Sequence, residues 1–158
     1  MLKNRNLSKG NKANRRPAIA PVFDPFVQDC REAFQFLIDE FSFHHVQTSY
    51  GGYECTVVFL REPVTLCVYY EALHTPWVML HLKTAPKRGR RISLHALMKT
   101  RCPSLSFEKH DFGEIGPEDT RPLLDKYASA LRLHARDILE GDLSAFQKPS
   151  KKSYAGDA

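Results

Sequence analysis

At 158 residues, with 42% hydrophobic and 26% charged residues, the chain has the size and composition of one globular domain rather than of a disordered or fibrous polymer. Its net charge of +5 sits at the ends: residues 1–21 hold six basic groups and no acid, residues 148–158 add +2, and residues 22–147 balance at −3. A pI near 9.1 is therefore poor support for nucleic-acid binding by the folded part, and no run approaches the roughly 20 apolar residues of a membrane span.

Residues 1–21 read as a basic arm without the hydrophobic stretch of a secretory signal, and residues 148–158 as a basic tail, which leaves residues 22–147 as a single domain. The domain opens at Phe23-Asp24-Pro25. Asp24 can cap a helix, and Pro25 suits its first turn, where the missing N–H would find no partner anyway. Phe26, Cys30, Ala33, Phe34, Leu37, Ile38 and Phe41 keep the spacing of one helical face, which predicts a single helix over about residues 25–41.

Residues 43–48 are expected as an edge strand, followed by a turn at Ser49-Tyr50-Gly51-Gly52. Residues 53–60 and 64–70 then read as a hairpin joined through Arg61-Glu62-Pro63. Pairing Leu60 with Val64 puts Cys55, Val57, Phe59, Cys67 and Tyr69 on one side of the sheet, the expected core face. A further turn near residues 72–75 adds Val78, Leu80 and Leu82 to it. The other side then holds Val58, Leu60, Leu66, Val68, Tyr70, Trp77, Met79 and His81, too apolar to lie wholly in water. A slip of one residue in either turn would exchange the faces.

Residues 83–91, KTAPKRGRR, form a basic loop with five positive groups. Ser93 is expected to cap a short helix reaching about Thr100, anchored by Leu94, Leu97 and Met98 and ended by Cys102-Pro103. Residues 106–119 read as an acidic loop. A long helix follows over about residues 120–140, capped by Thr120 or Asp119, with Pro122 in its first turn. Leu123, Leu124, Tyr127, Leu131, Ile138 and Leu139 form its buried stripe, Gly141 stops it, and Leu143 and Phe146 return to the core. The expected fold is α+β: an antiparallel meander of three to four strands, packed by an N-terminal helix and a long C-terminal helix.

The residue patterns of side-chain catalysis are missing. His44 and His45 are neighbours on a strand and point to opposite faces, and no H-x-x-x-H pair occurs. Cys30, Cys55, Cys67 and Cys102 lack the C-x-x-C spacing of a zinc or redox site and read as free thiols of a reducing compartment. No G-x-S-x-G elbow or Walker spacing is present. The expectation is a cytoplasmic protein that is not an enzyme and needs no metal or cofactor.

Two surfaces remain as candidates. The acidic loop suits a cationic protein partner, with Glu108, Asp111, Glu114, Glu118 and Asp119 as contacts and Phe112 or Ile115 as anchors. Alternatively Tyr70, Trp77 and His81 on the sheet, with Lys87, Arg88, Arg90 and Arg91 in the basic loop, would suit single-stranded nucleic acid, bases stacking on the rings.

The ending Tyr127-Ala128-Ser129-Ala130-Leu131, then Ile138-Leu139-Glu140-Gly141-Asp142 and Phe146, resembles the closing pattern of small bacterial α+β proteins of immunity and accessory type. The resemblance implies a protein that works by binding one partner, which makes protein binding the leading expectation and nucleic-acid binding the second.

Overall fold

Five antiparallel strands lie side by side in chain order, with helices before and after them. The computed structural model describes residues 20–83, 90–105, 107 and 115–146. A 3-10 turn, Ala20–Phe23, leads into α1 (Asp24–Ala33) and α2 (Gln35–Phe41). The strands are β1 (His44–Gly51), β2 (Glu54–Arg61), β3 (Val64–Glu71), β4 (Trp77–Leu82) and β5 (Arg90–Ser93). Then come α3 (Leu94–Arg101), α4 (Arg121–His134) and α5 (Arg136–Glu140), and a last 3-10 turn, Ser144–Phe146. Among the described residues no helix is long and apolar enough to cross a membrane.

The α+β class and antiparallel meander are as expected, but among the described residues the sheet has five strands, not three to four. The extra strand, β5, comes from the end of the basic loop, where only four residues pair and two of them are arginines. Each expected long helix is also two helices. The first breaks at Phe34, whose ring is fully buried against Phe59 at 5.9 Å, and the second at Ala135, also fully buried. Ser93 caps α3 as expected, its Oγ accepting from the Ala96 N–H at 3.1 Å. Gly141 ends α5 at φ 111°, a conformation that glycine adopts without a Cβ clash.

The main correction concerns β3. Arg61 pairs with Val64, so the turn is the two residues Glu62-Pro63, joined by a cis peptide, and Leu60 faces Thr65. That shift of one residue turns β3 over. Leu66, Val68 and Tyr70 point into the core with Cys55, Val57, Phe59, Val78, Leu80 and Leu82, while Cys67 and Tyr69 point away. The faces of β2 and β4 are as expected. Tyr70 is fully buried; Phe23 and Phe26 lie 6.0 and 5.0 Å from its ring, and its hydroxyl donates to the Ile115 carbonyl at 2.6 Å.

Polar links hold the helices over this core. Arg101 forms a bidentate pair with Asp137 and donates to the His134 carbonyl, tying α3 to the α4–α5 junction. Arg121 joins Glu32 of α1 and Asp125 of α4. Arg61 donates to the Leu139 and Glu140 carbonyls at the end of α5, where a cation suits the negative end of a helix.

Candidate functional site

The helices and the inward sheet face share one hydrophobic cluster, and Val58, Leu60, Cys67, Tyr69, Trp77 and Met79 neither belong to it nor pack against it. These six side chains, all on the other face, form its apolar centre. Strand register arranges that face in rows: Ser49–Thr56–Tyr69–Trp77, then Gln47–Val58–Cys67–Met79–Ser93, then His44–Leu60–Thr65–His81–Arg91. Most of these residues are half-buried, and Trp77 is 39% exposed.

Tyr69 and Trp77 stack on each other, ring centroids 5.3 Å apart and planes at 11°. The Tyr69 hydroxyl also lies 3.3 Å from Nε2 of His81. Burial pushes the Tyr69 phenol up to about 12, and the neighbouring Cys67 adds to this. Burial raises the Cys67 thiol too, against the pull of a hydrogen bond with Tyr69 and of Arg91. Burial and then Arg91 lower His81. Near neutral pH the three groups are therefore uncharged, so neither a thiolate nor a phenolate nucleophile is formed.

Charge is divided across the face. Glu54 lies directly opposite Glu71 at one end, and neither forms an ion pair among the described residues. Facing like charges on adjacent strands destabilise a sheet. Arg91, exposed, stands beside His81 at the other end.

The expected site residues are dispersed. Trp77 and His81 are on the open face, but Tyr70 is in the core and Tyr69 stands in its place. Arg91 joins the face, whereas Arg90 points to the other side and donates to the Phe146 carbonyl. Ile115 is buried and accepts from Tyr70, so it is a core residue and no anchor for a partner. Glu118 and Asp119 are exposed before α4. Glu108, Asp111, Phe112, Glu114, Lys87 and Arg88 lie outside the described residues. Among the described residues no group of three or more His, Cys, Asp or Glu is placed to hold a metal ion.

Sequence reasoning missed Cys67, Tyr69 and the Glu54–Glu71 pair. The signal was Glu62-Pro63 read as a two-residue turn, which gives the observed register. No family model matches the chain, and no match emerges among curated proteins or solved structures.

Proposed function

We propose that this protein is a non-catalytic binding module that takes a protein partner on the open face of its sheet. The carrying observation is that Val58, Leu60, Tyr69, Trp77 and Met79, set around the buried Cys67, form an apolar, partly exposed patch outside the core cluster. Exposed patches of this kind, rich in aromatic and Met side chains, are typical of interface centres. Five strands of about seven residues span roughly 550 Å² in plan, on the order of the ~800 Å² each partner contributes to a standard interface. The partner carries a basic group opposite Glu54 and Glu71, which relieves their mutual repulsion, and an acidic group opposite Arg91. This moves the expected contact from the acidic loop to the sheet. It keeps the binding role implied by the resemblance to immunity-type proteins.

Nucleic acid is the weaker partner for the same face. Tyr69 and Trp77 already cover one side of each other's ring, and the acids Glu54 and Glu71 flank them. Phosphate would meet one exposed arginine, Arg91, among the described face residues.

Affinity capture from the source cell tests the proposal, comparing the unaltered chain with Val58→Lys and with Leu133→Lys, a change on the exposed surface of α4. The expected result is one stoichiometric protein, lost with Val58→Lys and kept with Leu133→Lys. Equal capture by all three chains contradicts it. Captured RNA that washes off between about 50 and 200 mM salt would instead support nucleic-acid binding.

A further inference from the structure

We infer that a second site, a cleft at the β3–β4 turn, binds a small organic cation: an amine attached to an aromatic or aliphatic body. The cleft has a volume of about 990 Å³, at the upper end of the range for small-molecule sites. It opens between the β3–β4 turn, the start of α3 and one side of α4. Leu73, Trp77, Phe107 and Tyr127 give it an apolar and aromatic wall. Tyr127 is fixed in place by its hydroxyl, which donates to the Pro76 carbonyl at 2.8 Å.

Charge selects the ligand class. Among the described residues no Lys or Arg lines this cleft, and Glu71 is the one carboxylate that does. Its other titratable lining groups among the described residues are His74, His95 and Tyr127. Phe107 already has the Lys126 ammonium 5.3 Å from its ring centre. The end with Glu71 and the exposed Trp77 ring is thus left to receive a cation, by charge and by the ring's negative face. Leu73 stands at the cleft, 58% exposed and at φ 67°, a backbone conformation unfavourable for leucine. A bulky apolar residue held there adds ligand-facing surface despite the local cost.

Trp77 is the only tryptophan and stands where this cleft meets the open face, so its fluorescence responds to binding in the cleft. The full chain at pH 8 is titrated into the millimolar range with phenethylamine, benzyl alcohol and phenylacetate. Phenethylamine is expected to change the emission saturably, with phenylacetate at least ~10-fold weaker, because attraction to Glu71 becomes repulsion. Glu71→Gln should bring the two within ~3-fold while benzyl alcohol binds as before, which also shows that the variant is folded. Absence of a saturable response to phenethylamine overturns the inference. Equal affinity for phenylacetate in the unaltered chain does so too, as does undiminished discrimination in Glu71→Gln. No protein partner enters this titration, so its failure leaves the open-face proposal standing.

Discussion

Adjacent tyrosines on β3 have opposite roles. Tyr70 is buried and its hydroxyl satisfies the Ile115 carbonyl at 2.6 Å. Tyr70→Phe should lower stability by about 1–3 kcal/mol in urea unfolding, because a buried acceptor loses its donor. Tyr69→Phe should cost under ~1 kcal/mol, since its hydroxyl meets only the half-buried His81 and a weakly bonding Cys67 thiol. The reverse order would mean that β3 faces the other way. Protonation adds a second prediction: His45 and His81 are both lowered, chiefly by burial, so the folded state binds their protons less readily than the unfolded chain. Their stabilising effect is complete above the unfolded value of about 6.5 and is lost as pH falls through the lower folded values. Urea midpoints should drop between about pH 8 and pH 5, and less steeply when both residues are glutamine. An unchanged slope in that variant would exclude them as the source.

Helix attachments and strand turns decide what was legible from sequence. Arg101 joins α3 to Asp137 in a bidentate pair, partly buried, and also caps the His134 carbonyl. Arg101→Ala should lower the thermal midpoint and cost about 1–2 kcal/mol, more than an ordinary exposed pair. A loss under ~0.5 kcal/mol would reduce the link to a surface contact. No sequence pattern could show this pair, because 36 residues separate its members. The caps at Ser93 and Gly141 were legible, since each acts within one helical turn. So were the inward faces of β2 and β4, where alternation is strong. β3 was misread although its own alternation was informative: Val64, Leu66, Val68 and Tyr70 are all apolar or aromatic, whereas Thr65 and Glu71 mark the outward set, and it was the expected turn register that put Cys67 and Tyr69 inside. The helix breaks at Phe34 and Ala135 carry neither Gly nor Pro, and burial alone marks them.

At the scale of the whole molecule, the core cluster joins the helices to one side of the sheet and leaves the other side outside it. That asymmetry, joined to charge of opposite sign at the two ends of the open face, is the ground for the proposed binding role. Trp77 is its most exposed aromatic residue, and buried interface tryptophans often dominate affinity. With the partner in hand, Trp77→Ala should weaken binding by about 2 kcal/mol or more, roughly 30-fold. It should cost the chain itself only ~0.5–1.5 kcal/mol, the worth of its stack on Tyr69. An affinity change below ~3-fold would place the partner elsewhere. The open face itself is tested most directly by a photo-crosslinking amino acid placed at Met79, in the middle of that face, and separately at Leu133, 73% exposed on α4. Irradiation in the source cell should give one protein adduct of defined mass from position 79 and none from position 133. No adduct at 79, or the same adducts at both, would contradict the account.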